Sequence, residues 1–239
     1  MRILLLGYGK MGKTIERIAI ERGHSIAGKI DVQNRHEMDA LAAADVDVAI
    51  EFSAPEAAYD NITYCLKRGW PIVSGTTGWL EHRSEIENLC MQQQGAFFYA
   101  SNYSIGVNLF FRLNRQLARL MKGQAYRTSM TEIHHIHKLD APSGTAITLA
   151  EGIAAENSSQ KGWKLAPEEE DGFVQIEAKR LGEVPGTHIV RYESEVDTIE
   201  ITHTAHTRAG FALGAVISAE WLPGKTGVFG MDDLLEDLD

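Results

Sequence analysis

The opening of the chain constrains the fold more than any other stretch: Arg2-Ile3-Leu4-Leu5-Leu6 runs directly into Gly7-Tyr8-Gly9-Lys10-Met11-Gly12, and a segment with apolar residues at helical spacing follows. An apolar run of strand length, a GxGxxG turn and a helix form one strand-turn-helix unit, in which glycines permit a tight reversal and bring a pyrophosphate against helix-terminal N–H groups. The motif alone also fits a glycine-rich turn in another α/β protein. Its place, straight after the first strand and before the first helix, is what points to a dinucleotide.

The pattern then repeats. Apolar stretches at 24–30, 46–52, 71–75 and 96–100 alternate with periodic segments at 10–22, 55–68 and 79–93, which predicts repeated strand-helix units and a parallel sheet. Ser53 reads as the cap of the helix beginning at Pro55. A long amphipathic helix over 106–122 ends at Lys122-Gly123, and the character changes: YRTSMTEIH, FVQIEAKRL, HIVRYES and TIEITHT read as longer strands rich in Thr, Ile and Val, interrupted by one helix beginning at Pro142-Ser143. Residues 157–171 read as a polar loop, 209–222 as a helix, and GMDDLLEDLD as an acidic amphipathic turn or two. With few crossover helices, the second half predicts an open mixed sheet whose uncovered face suits subunit packing. The expected architecture is α/β: an N-terminal Rossmann-like doubly wound parallel sheet, with a second α+β domain built on an open mixed sheet. Residues 1–104 and 214–239 would form the dinucleotide-binding domain, and 105–213 the substrate-binding and oligomerisation domain.

The charge balance narrows the ligands. Against 33 acidic side chains stand 23 lysines and arginines, a net charge of −10, which excludes a nucleic-acid surface and requires a local basic patch for any anion. No stretch approaches the roughly 18 apolar residues of a membrane span. The short apolar start meets glycines instead of a signal-peptide cleavage site, and Cys65 and Cys90 lack CxxC spacing, so a cytoplasmic chain with buried, reduced thiols is expected.

Asp31 ends the second strand, nineteen residues after Gly12, where a carboxylate accepts the adenosine ribose hydroxyls. An aspartate at a strand end is also a common turn residue. As a ligand it favours NADH by repelling a 2'-phosphate, while Arg35 and Lys10 soften that repulsion and keep NADPH open. Ser74-Gly75-Thr76-Thr77-Gly78 follows the fourth strand at the carboxyl edge of the sheet, where backbone contact with the nicotinamide end is expected.

The second cluster is EIHHIHKLDAPSGTA, residues 132–146. Strand alternation puts His135 and His137 on one face and His134 on the other, a half-site at most, with Asp140 the only close carboxylate weighed; no metal is expected. The reading that uses more of the residues is an anion pocket. Pro142-Ser143-Gly144-Thr145 reads as a capped helix start whose N–H groups bind carboxylates, Lys138 adds a full charge, and a histidine beside them suits general acid work near neutral pH.

With GYGKMG, SGTTG, SNYSIGVN, EIHHIHKLDAPSGTA, ITHTAHTRAGFALGAVISAEWL and KTGVFGMDDLL in that order, the chain resembles the 4-hydroxy-tetrahydrodipicolinate (dihydrodipicolinate) reductases of bacterial and plant lysine biosynthesis, from the first strand to the last helix. The histidine motif followed by DAPSGT is highly specific for that family. The resemblance implies an NAD(P)H-dependent oxidoreductase that delivers hydride to C4 of a cyclic dicarboxylate with loss of water, one domain closing on the other. It further implies His134 as the general acid that protonates the enamine carbon, Lys138 in catalysis and carboxylate binding, and His135, Ser143, Gly144 and Thr145 on the substrate carboxylates. Around the cofactor it implies Gly7, Tyr8, Gly9, Lys10, Met11, Gly12, Asp31, Phe52, Ser53, Gly75, Thr76, Thr77, Ser101, Asn102 and Tyr103. His137 is left as structural. A homotetramer sharing a sheet between substrate domains is also implied.

Three positions depart from the family pattern: Ile136 replaces a frequent arginine, Tyr103 a frequent phenylalanine, and Arg191-Tyr192-Glu193-Ser194-Glu195 lacks a glycine before its last glutamate. Arg208 matches a family arginine but equally suits a helix-start salt bridge, so it is not counted as catalytic. The alternative function is a catalytically silent nicotinamide-binding sensor or scaffold of the same fold, which would bind cofactor without oxidising it. A zinc hydrolase using the histidines is a further rival.

Overall fold

The computed structural model describes residues 1–207 and 209–238; Arg208 therefore lies outside the described residues. The chain begins β1 (Arg2–Leu6), α1 (Lys10–Glu21), β2 (Ser25–Ile30), then 3-10 turns over Val32–Ala40 and Ala43–Asp45, β3 (Val48–Glu51), α2 (Pro55–Lys67), β4 (Ile72–Ser74), a further 3-10 turn (Leu80–His82), α3 (Arg83–Gln92) and β5 (Ala96–Tyr99). It continues through α4 (Ile105–Met121), β6 (Arg127–His134), α5 (Gly144–Glu156), β7 (Trp163–Leu165), β8 (Val174–Arg180), β9 (Thr187–Glu193) and β10 (Thr198–Thr204), and ends with α6 (Ala209–Trp221), β11 (Gly227–Phe229) and α7 (Met231–Leu238). Two compact units result, one of Met1–Ile105 with Ala209–Asp239 and one of Gly106–Arg208.

The first unit holds a six-stranded sheet in the order β11-β5-β4-β3-β1-β2, every pairing parallel. Its central strands read as unbroken apolar runs because both faces are covered, and successive side chains enter opposite layers. Ile3 and Leu5 join Ile15, Ile50, Phe98, Ala215 and Val216 on one side. Leu4 and Leu6 join Ile62, Leu66, Ile72, Trp79 and Phe97 on the other. Between β2 and β3 the crossover is made of 3-10 turns in place of a full helix. They start where Asp31 Oδ1 accepts the Val32 N–H at 2.8 Å and Asn34 Oδ1 accepts the Asp31 N–H at 2.7 Å.

In the second unit a mixed sheet runs β10-β9-β6-β8-β7, with β6 antiparallel to β9 and parallel to β8. Helices α4 and α5 cover one face, where Phe110, Met121, Leu149 and Ile153 pack on Met130, Ile176, Val190 and Tyr192. Along β6 the burial alternates: Thr128, Met130, Glu132 and His134 point into the covered side, while Ser129, Thr131 and Ile133 are half-buried on the other.

The structure corrects three local expectations. The stretch read as a polar loop contains β7, which extends the sheet beside β8. The closing segment contributes a strand, β11, before its helix. Ser53 does not cap α2: Ala54 holds that place without a side-chain cap, and the Ser53 hydroxyl goes to Glu51 instead. Cys65 and Cys90 are free and buried, and burial pushes the Cys65 thiol up, so neither is a poised nucleophile. Among the described residues no helix is long and apolar enough to cross a membrane.

Candidate active site

In the first unit the chain leaves β1 for β2 on one side and later places β3 on the other, so the carboxyl ends of β1 and β3 flank a topological switch point. A cleft of about 590 Å³ opens there, lined by Gly7, Tyr8, Gly9, Asp31, Phe52 and Ser53, together with Val32, Arg35, Glu56, Ala57, Asp60 and Asn61. Gly7 has φ +90°, and a Cβ on it would lie 2.0 Å from the Phe52 carbonyl oxygen. No other residue fits that corner. Gly9 differs: its φ of −77° suits any residue and a Cβ there would meet no protein atom within 4 Å. The fold gives no reason for a glycine at 9, whereas the approach of a pyrophosphate to the start of α1 does. The cleft therefore fits a dinucleotide on this chain's own geometry.

Glu51, at the end of β3, has no exposed surface and organises the neighbouring turn. Its carboxylate accepts from the Ser53 N–H at 3.0 Å, Ser74 Oγ at 2.6 Å and Thr76 Oγ1 at 2.8 Å, and from the Ser53 hydroxyl. Thr76 Oγ1 also accepts the Ser53 N–H at 2.9 Å, so the β3 and β4 loops are tied together. Of the expected cofactor residues, Gly7, Tyr8, Gly9, Asp31, Phe52 and Ser53 line the cleft directly. Lys10, Met11 and Gly12 form the first turn of α1, and Gly75, Thr76 and Thr77 the loop after β4. Ser101 and Asn102 follow β5 outside the cleft lining; Asn102 Oδ1 accepts the Ser104 N–H. Tyr103 is a core residue: its hydroxyl donates to the Ser74 carbonyl at 2.7 Å, its ring packs on Phe52 and Phe98, and burial holds its hydroxyl well above the usual range.

The second unit collects the histidine motif around a carboxylate that reading by strand alternation from His135 passed over. β6 ends at His134, and Glu132, two residues earlier, shares its covered face. Glu132 Oε2 lies 2.7 Å from His134 Nδ1, close but without the alignment of a hydrogen bond. Glu132 Oε1 accepts from Arg180 at 3.0 Å and from the Ser143 N–H at 3.2 Å. Burial alone would raise the Glu132 carboxyl, but His134, Ser143 and Arg180 overcome it and hold it down at about 2. His188, opposite Glu132 in the β6–β9 register, shares a contact of 3.2 Å with Ser143 Oγ; burial first, then the neighbouring His134, lowers it to about 4.

Asp140, weighed from sequence as the nearest carboxylate, belongs to Lys138, whose Nζ lies 2.8 Å from both its oxygens. Ser143 caps α5 by accepting the Ala146 N–H at 3.2 Å and is itself buried, whereas Gly144 is exposed and Thr145 half-buried in the first turn, whose N–H groups have no partner within the helix. His135 is half-buried, and His137 is exposed beside Glu183.

Glu132, His134 and His188 also bring three potential metal-ligand atoms within 4.8 Å of one another. The geometry speaks against one shared ion. Two ligands at about 2.0 Å from a tetrahedral metal stand about 3.3 Å apart, while the Glu132–His134 contact is 2.7 Å and Arg180 occupies the other oxygen. Acid–base contact between carboxylate and imidazole describes it better.

A doubly wound nucleotide-binding sheet and a separate mixed sheet carrying a carboxylate-histidine-lysine cluster define a Rossmann-type pyridine-nucleotide oxidoreductase. Models of the dihydrodipicolinate reductase N-terminus and C-terminus match residues 1–103 and 106–235, and the chain belongs to the dihydrodipicolinate reductase family. A 4-hydroxy-tetrahydrodipicolinate reductase of Christiangramia forsetii is 54% identical over 100% of this chain and 99% of its own length. One from Desulfovibrio desulfuricans is 37% identical over 95% of each. Among solved structures, dipicolinate-bound dihydrodipicolinate reductase from Paenisporosarcina sp. TG-14 superposes with a TM-score of 0.80 over 98% of this chain and 99% of that one, at 21% identity, and shares the fold.

Proposed function

We propose that this protein reduces 4-hydroxy-tetrahydrodipicolinate to tetrahydrodipicolinate, with the first unit holding the dinucleotide and the second holding substrate and subunit contacts. The observation that carries the reading is the cluster on β6 and the α5 start: a histidine against a buried carboxylate, a lysine, and a serine-capped helix start within one short stretch. It is what a dicarboxylate needing one proton would require. The close relatives bear that activity in their name.

The dinucleotide, when bound, supplies hydride to C4 of the ring as water is lost. His134 gives its Nε2 proton to the enamine carbon; the N–H bond breaks, a C–H bond forms, and the neutral imidazole keeps the Nδ1 proton toward Glu132. Lys138 and the N–H groups of Gly144 and Thr145 neutralise the carboxylates, with His135 beside them. Gly7 to Gly12 receive the pyrophosphate, Asp31 the ribose, and Phe52, Ser53 and the 75–77 loop the nicotinamide end, with Ser101 and Asn102 near it. Asp31, Glu56 and Asp60 give the cleft an acidic rim against a single Arg35, which favours NADH over NADPH. The half-buried face of the second sheet, bearing Ser129, Thr131 and Ile133, suits subunit packing in a homotetramer, and the biosynthetic activity suits a cytoplasmic location.

Following NADH absorbance with freshly prepared 4-hydroxy-tetrahydrodipicolinate, with and without chelator, tests the reading. Substrate-dependent decay insensitive to chelator is expected; binding of NADH without decay would leave the silent sensor standing. Light scattering at micromolar concentration is expected to give four times the 26.4 kDa chain mass.

A further inference from the structure

We propose that Glu132 is the positioning residue of the proton-transfer step, fixing through one buried carboxylate the tautomer of His134, the lysine loop and the start of α5. The proposal rests on His134 being the acid. Glu132 has no exposed surface; its Oε1 is hydrogen-bonded, and its Oε2, buried and without an aligned donor, is aimed at the His134 ring. Oε2 lies 2.7 Å from His134 Nδ1; a carboxylate can only accept, so a small turn of the ring that brings the two into line keeps the proton on Nδ1. Nε2 is then left as the nitrogen that exchanges one with substrate. The side of Nε2 is kept open by Gly186, where an added Cβ would lie 3.1 Å from it.

Oε1 holds the other two parts. It accepts the Ser143 N–H, which pins the α5 start, and the Arg180 guanidinium, which also donates to the carbonyls of Lys138 at 3.2 Å and Asp140 at 2.6 Å. Acid, lysine and helix terminus are thereby referred to a single carboxylate.

The charged and titratable groups around His134 come from four elements. From β8 comes Arg180, from the turn Lys138 with its partner Asp140, from β9 His188 with its ring centroid 5.2 Å away, and from β10 His203, which acts on His188. Arg180 and Lys138 bring positive charge to the cluster, and Glu132 is the carboxylate in contact with His134 among the described residues.

Two measurements test this. In the wild-type protein, 15N spectra of ring-labelled histidine at a pH where His134 is neutral are expected to show the Nδ1–H tautomer; the Nε2–H tautomer would overturn the proposal even if no variant folds. In Glu132→Gln, kcat is expected to fall about 10- to 100-fold, and the pH at which activity is lost on the alkaline side to move down by about one unit, because an anion that favours the charged acid is gone. Glu132→Asp should restore part of both, and NADH affinity by fluorescence titration should stay unchanged in each variant. An unmoved pH profile in folded Glu132→Gln sinks the role of Glu132, whereas wild-type turnover in His134→Gln sinks the acid assignment itself.

Discussion

His134 Nδ1 lies 2.7 Å from the carboxylate of Glu132, and the two side chains leave β6 on the same covered face, two residues apart. In the proposed role of the pair, Nε2 is the nitrogen available for chemistry. Replacing His134 by Gln keeps the size and a polar end but no proton donor of suitable acidity, and is expected to lower kcat by about 10² to 10⁴ with little effect on KM. Steady-state kinetics on folded, dinucleotide-binding variant checks this.

Lys138 pairs with Asp140 through both carboxylate oxygens and brings a full positive charge to the proposed site. Lys138→Ala is expected to raise substrate KM by about tenfold or more, since a charge-assisted contact to a carboxylate contributes roughly 1.5–3 kcal/mol. Normal kinetics in that variant would remove Lys138 from the site.

His188 is neutral in the fold, at about 4 against an ordinary 6.5. Its folded value is depressed, so between pH 6.5 and 4 the unfolded chain binds a proton that the folded chain refuses, and stability falls as pH drops through that window. The loss is on the order of 2–3 kcal/mol by pH 4. Glu132, held at about 2, adds its own loss below pH 4.5 in the same direction. Urea unfolding at several pH values, compared with His188→Gln, should show a shallower decline from pH 6.5 to 4 in the variant.

Gly7 and Gly9 should separate folding from binding. Gly7→Ala places a Cβ 2.0 Å from Phe52 O at φ +90° and is expected to cost upwards of about 2 kcal/mol in stability. Gly9→Ala meets no protein atom within 4 Å, so its unfolding midpoint should match wild type. Its NADH affinity should fall by about tenfold or more, measured by fluorescence titration, because the methyl fills the pyrophosphate's approach.

Asp31→Asn removes one negative charge from the cleft that also holds Arg35. The NADPH-to-NADH ratio of kcat/KM is expected to rise about tenfold or more, since a like charge at about 4 Å is worth ~1–4 kcal/mol between water and protein-surface conditions.

The sequence by itself determined the local structure: β1, the glycine turn and α1 follow from an apolar run, GxGxxG and helical spacing, all encoded within twenty neighbouring residues. It also contained the Glu132–His134 pair, because period-two alternation puts residues i and i+2 on one face; reading alternation forward from His135, and not back from His134, hid it. Short strands such as β7 and β11 were not legible, since three residues carry no periodicity and form only where a neighbour supplies the ladder.

Only the tertiary structure decided which distant groups meet. Arg180 reaches Glu132 because β8 pairs with β6 in a register that sets His134 opposite Arg180, and His188 arrives because β9 pairs on the other side. Tyr103, which resembles a cofactor-region residue by its neighbours in sequence, is a core residue because its hydroxyl finds the Ser74 carbonyl across the sheet. Backbone pairing and burial are long-range: they select partners 29 to 56 residues apart by register, and no local pattern of residue types carries that register.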